Sequence, residues 1–335
     1  MIMRLIKDIG EVEIIQLLQS YITSSSKMGS NEDAYLIKNQ IPYILLNIDT
    51  MTKTSDFLPD QTWSQIGEKL VTMTFSDLVA KGAQPDSFLS SLVLEEDFII
   101  DDLKALASSM QKTAKRYGAS YLGGDLGSAA ETVLTGIGTG SISKGKIITR
   151  RDARVGDIVC VTQYFGLTAI GFDHVLTKRI DKYPNIPSTL LNKAKKSIYH
   201  PNLRLKEGLL LSKNLLASSG IDSSDGLASA LNWLARESNL NITIDYLPLH
   251  PELVNYVNSL DNIMNATLYG GEEFEIIFTV PPGKLTKTQE LFKREGCKCI
   301  EIGSCLEGRG VNYSYSDKTI KIPPYGWDSL GKEYR

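Results

Sequence analysis

The chain has 335 residues, of which 42% are apolar, and it carries a net charge of −3 at neutral pH. This length and apolar content allow two domains with cores of their own, which excludes a disordered or fibrous protein. Lys and Arg are scattered along the sequence, so no basic surface is expected for nucleic acid or for an anionic membrane. No apolar run approaches membrane-spanning length, and we expect a cytoplasmic protein.

The first half of the chain is predicted to mix helices and strands. Apolar periodicity predicts helices at 11–21, 63–81 and 101–117 and strands at 43–48, 88–94 and 133–142, with a polar loop at 24–31. A short strand at 120–122 is predicted to turn at Gly123, Gly124 and Asp125, because paired glycines permit positive φ.

The second half has the same mixed character. Strands are predicted at 157–162 and 272–280, and helices at 167–178, at 203–217 and from Leu227 onward. The strict strand–helix alternation of a doubly wound sheet is absent, which favours two α+β domains. We place the boundary in the basic connector at 143–154, giving domains at 1–145 and 146–335.

Several carboxylates are predicted to lie where elements begin or end. Asp49 follows the apolar run 43–48, and Asp77 falls on the apolar stripe of the helix at 63–81. Burying an ionised carboxylate without a partner is costly, so Asp77 needs a cation, hydrogen-bond donors or a solvent-filled cleft beside it. Taken singly, such a residue is more often a cap or turn residue than a ligand.

The same kind of residue recurs along the chain, which makes the whole set harder to explain as caps. Its members are Glu32, Asp33, Asp49, Asp77, Asp125, Asp222 and Asp225. If these side chains converge, they form a negative cleft that attracts hard divalent cations such as Mg²⁺. Bound Mg²⁺ would link carboxylates to phosphate oxygens, as phosphoryl transfer requires.

Signatures of other site classes are absent from the sequence. It contains no GxxxxGK[ST] phosphate loop, no GxGxxG between a strand and a helix, no GxSxG and no DxDxDG calcium loop. The four cysteines lack the paired CxxC spacing of a zinc site and are too few for a disulfide framework. The three histidines are dispersed, and we assign them no role.

Short motifs occur in an order that resembles the thiamine-monophosphate kinase family. They lie at 31–34, 49–50, 76–78 with 82–85, 123–125, Arg150 with 156–157, 222–227, 270–275 and 326–328. The resemblance runs from about residue 29 to the C-terminus and so covers nearly the whole chain. Each motif is weak alone, and the specificity comes from their order.

The resemblance implies a fold and a set of site residues. The fold is the two-domain, α+β, PurM-like fold, with an N-terminal mixed α/β sheet domain that pairs in a homodimer and a C-terminal α/β sandwich domain. The implied metal ligands are Asp33, Asp49, Thr50, Asp77, Asp125, Asp222 and Asp225. The implied ATP contacts are Gly124, Asp125, Arg150 and Ser224, and the implied substrate contacts are Asp56, Glu272, Glu273 and Trp327.

The resemblance also implies a reaction, in which ATP phosphorylates thiamine monophosphate with Mg²⁺. The substrate phosphate is already ionised, so positioning and charge neutralisation carry the catalysis, and no catalytic side chain is expected. The chain has Asp56 where the family usually has histidine. Two other functions stay open: an ATP-dependent kinase or synthetase of the same superfamily with another substrate, and a non-catalytic nucleotide-binding homologue.

Overall fold

A computed structural model describes residues 34–36, 42–177, 183 and 185–326. Its strands form two sheets, one in each half of the chain. The first sheet has the order β1-β2-β5-β3-β4, in which β3 and β4 are parallel and the other neighbours antiparallel. Its elements are β1 (Tyr35–Leu36), β2 (Tyr43–Thr52), α1 (Lys53–Asp56), α2 (Trp63–Ala80), β3 (Gln84–Leu94), α3 (Ile100–Arg116), β4 (Ser120–Ser128) and β5 (Val133–Ile142). The helix predicted at 11–21 and the loop at 24–31 lie outside the described residues.

Helix α2 has ends that local sequence explains. Thr62 and Gln65 form a capping box, in which the Thr62 side chain accepts from Gln65 N and the Gln65 side chain accepts from Thr62 N. The helix ends before Gly82, whose φ of +84° suits glycine. Its fully buried Phe75 packs in the core between helix and sheet. The helix predicted at 63–81 is confirmed.

Strand β4 continues through the two glycines where a turn was predicted, so that prediction is wrong. Gly123 and Gly124 do have positive φ values of 97° and 155°. A bulge absorbs this geometry, because the register between β3 and β4 shifts between Phe88 and Ser90. A Cβ at Gly124 would lie 1.7 Å from Ser90 O, so only glycine allows the two strands to pair this closely.

The second sheet has the strand order β12-β11-β8-β10-β6-β9-β7. Strands β8 and β11 are parallel, and the other neighbours are antiparallel. Its strands are β6 (Ile158–Val161), β7 (Ser219–Asp222), β8 (Asn241–Ile244), β9 (Ile276–Val280), β10 (Ile300–Leu306), β11 (Gly310–Tyr315) and β12 (Lys318–Lys321). Its helices are α4 (Leu167–Phe172), α5 (Ser188–Tyr199), α6 (Leu205–Lys213), α7 (Leu227–Glu237), α8 (Leu260–Leu268) and α9 (Leu285–Arg294). The expected mixture of helices and strands in both halves is confirmed.

Two predicted helices are shorter than expected. The one predicted at 167–178 is α4 followed by a π-helical turn, Asp173–Thr177, and the one predicted at 203–217 is α6. Among the helices that the structure describes, none is both long enough and apolar enough to cross a bilayer.

The strand predicted at 272–280 begins four residues later, at Ile276. Glu272 and Phe274 have positive φ values of 53° and 51°, which a strand does not accommodate. Glu272 N donates instead to Ser224 O at 2.7 Å. The acidic residues therefore lie in a loop that packs against the start of α7.

Helix α2 also connects the two sheets. Lys81, the residue after the helix, is fully buried, and its Nζ donates to Gly220 O on β7 at 3.2 Å. Helix α6 packs so closely on α2 that a Cβ at Gly208 would lie 2.3 Å from Val79 O. The boundary proposed between residues 145 and 146 falls in the segment that joins β5 to β6.

Candidate active site

Three aspartates from both halves of the chain meet at the junction of the two sheets. Asp49 lies on β2, Asp77 on α2 and Asp222 at the end of β7. Asn47 Nδ2 donates to Asp49 Oδ2 at 2.8 Å and to Asp77 Oδ2 at 2.7 Å. Ser76 Oγ donates to Asp222 Oδ2 at 2.6 Å. We call Asp49, Asp77 and Asp222 the aspartate cluster.

The carboxylates of the aspartate cluster act on one another electrostatically. Burial and the charge of Asp222 raise the pKa of Asp49 to about 7, against the hydrogen bond from Asn47. Burial and the charges of Asp222 and Asp49 raise the pKa of Asp77 well above its usual value. Burial also raises the pKa of Asp222, although the Ser76 hydrogen bond and nearby cations oppose this. Burial and, for Asp49 and Asp77, the neighbouring carboxylates therefore oppose ionisation of the cluster.

This donor set fits a hard divalent cation. Mg²⁺ prefers oxygen ligands, and the cluster offers carboxylates that repel one another without a cation between them. Within the described ranges, no group of three metal-binding side chains is close enough to hold an ion as it stands.

Arg150 lies beside the aspartate cluster, and two serine side chains hold its backbone in place. Its carbonyl oxygen accepts from Ser219 Oγ and from Ser238 Oγ, both at 2.8 Å. Its side chain is buried, and the guanidinium carbon is 5.2 Å from the centroid of the Trp233 ring. The charge of Arg150 lowers the pKa of Asp222. The arrangement can present a cation to an anionic ligand held at the cluster.

The motif segments 222–227 and 270–275, both predicted to bind ligands, pack on each other beside the cluster. Ser224 Oγ is 3.5 Å from Asp222 Oδ1, and Ser223 Oγ accepts from Glu275 N at 3.0 Å. Asp225 is half-buried just before α7. The backbone of Gly326 packs on Asp225, since a Cβ there would lie 2.5 Å from Asp225 O.

A buried lysine connects Asp56 with Glu272. Lys69 is only 2% exposed, and its Nζ lies 2.5 Å from Glu272 Oε1. The same Nζ donates to Asp56 O at 3.3 Å, while the Asp56 carboxylate accepts from Thr52 N at 2.6 Å. Glu273 faces elsewhere and accepts from Thr168 Oγ1 at 2.8 Å. The structure thus brings Asp56 and Glu272 together and directs the Glu273 carboxylate to another place.

The remaining predicted residues lie apart from the cluster or outside the described residues. Strand register places Thr50 and Asp125 in one row, on the sheet face opposite to Asp49. Thr50 Oγ1 lies 2.9 Å from Thr135 Oγ1. Asp33 and Trp327 lie outside the described residues. The metal-binding roles of Asp33, Thr50 and Asp125 and the substrate contact of Trp327 stay predictions.

Comparison with known proteins decides the family. A family model described as AIR synthase related protein, N-terminal domain, matches residues 31–142. The thiamine-monophosphate kinase of Pyrococcus horikoshii is 33% identical over 325 residues, which cover 95% of this chain and 97% of that protein. The chain belongs to the thiamine-monophosphate kinase family.

Two solved structures align with this chain over nearly its whole length. The protein tt0281 from Thermus thermophilus aligns at 28% identity with a TM-score of 0.83, covering 96% of this chain and all of that one. A ThiL structure complexed with AMPPCP and TMP aligns at 26% identity with a TM-score of 0.82, covering 98% of this chain and 99% of that one. The expected PurM-like fold is confirmed.

Four residues shape the site of this thiamine-monophosphate kinase family member in roles that the sequence did not predict. Asn47 lies two residues before Asp49 and so faces the same side of β2, a period-2 signal that could have identified it. Lys69 lies in a helix that is buried almost all round, where a charged residue needs a partner. Ser76 lies in the motif at 76–78, but neither it nor Trp233 has a local signal for its contact, because the partners are distant in the chain.

Proposed function

We propose that the protein transfers the γ-phosphoryl group of ATP to thiamine monophosphate, forming thiamine diphosphate and ADP. The observation that carries the proposal is the aspartate cluster, to which both halves of the chain contribute. Membership of the thiamine-monophosphate kinase family supports the choice of substrate. ATP as co-substrate favours a cytoplasmic location.

The proposed reaction is a direct displacement. A phosphate oxygen of thiamine monophosphate forms a bond to the γ-phosphorus, and the bond from that phosphorus to the β–γ bridging oxygen breaks as ADP leaves. The attacking oxygen is already ionised at neutral pH, so no side chain has to remove a proton. Residues of the site hold the two anionic substrates in line and exclude water.

Mg²⁺ would neutralise the phosphate oxygens and align the two substrates when bound. Asp49, Asp77 and Asp222 are the described residues that we propose to hold it. The family resemblance implies Asp33, Thr50, Asp125 and Asp225 as further metal ligands, of which Thr50 and Asp125 would act from the sheet face opposite to Asp49. Arg150 and Ser224 would contact ATP phosphates from the second domain, and Gly124 with Asp125 would contact ATP from the first.

Magnesium is expected to stabilise the protein against heat. Saturating Mg²⁺ should raise the midpoint of thermal unfolding by about 5 °C relative to EDTA, because cation binding relieves repulsion within the cluster. Asp222→Asn should lose at least half of this shift, whereas Asp317→Asn, on an exposed turn, should keep it. Scanning calorimetry measures the shift, and equal shifts in all three proteins would contradict the proposed metal site.

The substrate would bind between Asp56, Glu272 and Trp327. Lys69 holds Glu272 and the Asp56 backbone in place, so it determines the shape of this region. Glu273 is not part of this proposed contact set, because its carboxylate faces Thr168.

Trp233 is expected to matter for ATP through Arg150. Replacing Trp233 by Leu should raise KM for ATP about tenfold with a smaller change in kcat, because the guanidinium loses the ring on which it lies. Trp233→Phe keeps an aromatic face and should recover most of the affinity. Steady-state kinetics at varied ATP measures both. An unchanged KM in Trp233→Leu would remove Trp233 from this role.

We also propose that the chain forms a homodimer through the face of the first sheet that lies away from α2. Register aligns Ile48, Ile137 and Leu89 in one apolar row across β2, β5 and β3. Ile48 is 54% exposed in the single chain, although it lies in the middle of a long strand. Burying such a row against a second copy would remove apolar surface from water.

Ile48→Lys is expected to convert the dimer to a monomer, because it places a charge inside the proposed interface. Light scattering after size-exclusion chromatography should give twice the 37.0 kDa chain mass for the wild type and the single mass for the variant. Ile100→Lys is the matched control, since Ile100 is 64% exposed at the start of α3. A monomeric wild type would contradict the proposal.

The experiment that tests the function is thiamine diphosphate formation with each component omitted in turn. The proposal predicts product only when thiamine monophosphate, ATP and Mg²⁺ are all present. Product from another phosphorylated acceptor, and none from thiamine monophosphate, would favour the second candidate, a kinase or synthetase of the same superfamily. The departure that favours this candidate is Asp56, which stands where the family usually has histidine.

A further inference from the structure

A cavity lies in the C-terminal half of the chain, between the start of α4, helix α5 and the loop that precedes β9. Its volume is about 340 Å³, within the range of small-molecule pockets. The polar and charged side chains that line it include Thr168, Lys193, His250, Glu273 and Lys298. No member of the aspartate cluster lines it.

The inner wall of this cavity holds a carboxylate oxygen without a partner. Glu273 is only 9% exposed, and its Oε1 accepts from Thr168 Oγ1 at 2.8 Å. Its Oε2 has no hydrogen-bond partner among the described residues. The neighbouring Glu275 differs, because both of its oxygens accept from Arg204, and Oε2 also accepts from Thr162 Oγ1. Buried polar atoms are normally satisfied, so the free oxygen of Glu273 points to an absent donor.

The rim of the cavity offers donors and positive charge. Lys298 Nζ donates to the neutral Gln163 Oε1 at 2.6 Å and lies 4.9 Å from the centroid of the Tyr164 ring. No carboxylate in the part of the chain that the structure describes forms an ion pair with Lys298. His250 Nδ1 accepts from Glu252 N at 3.3 Å, which leaves the Nε2 proton free to donate. Burial and the charges of Lys193 and Lys298 lower the pKa of His250 and favour this neutral form.

We propose that this cavity binds a small zwitterion, with an amino group at Glu273 Oε2 and a carboxylate or phosphate group at Lys298 and His250. The amino group supplies the donor that the buried oxygen lacks. The anionic group pairs with a lysine whose charge is otherwise uncompensated among the described residues. The inference does not depend on the proposed kinase reaction: the family resemblance implies Glu273 as a substrate contact, but its carboxylate faces Thr168 in this cavity, and the other residues used here have no role in that reaction.

Calorimetric titration of the full chain in EDTA tests the proposal. The probes are O-phosphoethanolamine and 4-aminobutyrate, which distinguish a phosphate from a carboxylate, with ethanolamine and inorganic phosphate as references that carry one group each. At least one zwitterion should bind one site per chain about tenfold more tightly than either reference. Glu273→Gln and Lys298→Met should each weaken that binding about tenfold, and the exposed Lys321→Met should not.

Two results would overturn the proposal. One is the absence of saturable binding for both zwitterions. The other is binding that Lys298→Met leaves unchanged, which would place the ligand elsewhere, including the aspartate cluster. Lys298 is a rim residue with a long aliphatic stem that methionine imitates, so this variant decides the question even if Glu273→Gln fails to fold.

Discussion

Asp77→Asn is expected to reduce the rate of thiamine diphosphate formation by at least about a hundredfold while the chain stays folded. Asp77 is the member of the aspartate cluster that the charges of both Asp222 and Asp49 repel. The amide keeps the size of the side chain but removes a charged oxygen ligand. Steady-state assays at saturating ATP and thiamine monophosphate measure the loss in kcat.

The same substitution should not destabilise the protein without metal. It removes one of three carboxylates that repel one another, so the free energy of unfolding in EDTA should equal or exceed that of the wild type. Asp86→Asn, at an exposed position on β3, is the matched control and should change neither rate nor stability. An active Asp77→Asn enzyme, or an inactive one that is also unfolded, would count against a metal role for Asp77.

Lys69→Met is expected to lower the free energy of unfolding by about 3 kcal/mol, because it leaves Glu272 without its partner at a largely buried site. The KM for thiamine monophosphate should rise more than kcat falls, since Lys69 positions Glu272 and the Asp56 backbone. Urea denaturation measures the first effect, and steady-state kinetics measures the second.

A double variant separates the ion pair from simple packing. Lys69→Met combined with Glu272→Gln should regain a large part of the lost stability, because no charge is then left unpaired. Lys104→Met breaks an ion pair with Asp101 whose side chains are 72% and 86% exposed, and it should cost less than about 1 kcal/mol. Additive losses in the double variant would mean that Lys69 and Glu272 do not act as a pair.

The sequence predicts positions within an element better than contacts between elements. The apolar stripe of α2 places Asp77 on the inward face, and the abrupt end of an apolar run marks Asp49. Neither signal shows that Asp222 joins them. That contact depends on the Ser76–Asp222 hydrogen bond, whose residues are 146 positions apart. Only the family resemblance related these residues to one site before the structure did.

Backbone geometry explains two predictions that failed. The alternation at 272–280 is typical of a strand, yet Glu272 and Phe274 have positive φ, and Ser224 O accepts a hydrogen bond from the loop. The glycine pair in β4 suggested a turn, yet β4 continues through it as a strand, with a bulge in its pairing with β3. In both cases the deciding partner is remote in sequence, so a local pattern could not reveal it.

Strand β7 and the contact of Lys69 were not predicted from the sequence, and the two have a common cause. Strand β7 has four residues, one of them glycine, and shows no periodicity, although all four are buried. Lys69 lies among buried apolar residues of α2, so the helix pattern does not single it out. Its partner Glu272 lies in a loop of the other half of the chain. Burial on all sides removes the polar–apolar contrast on which a prediction from sequence periodicity depends.

The ratio of products tests the central claim of direct phosphoryl transfer most directly. With ATP, Mg²⁺ and thiamine monophosphate, the account predicts one thiamine diphosphate for each ADP and no inorganic phosphate. ADP formed together with inorganic phosphate, while thiamine monophosphate stays unchanged, would contradict it.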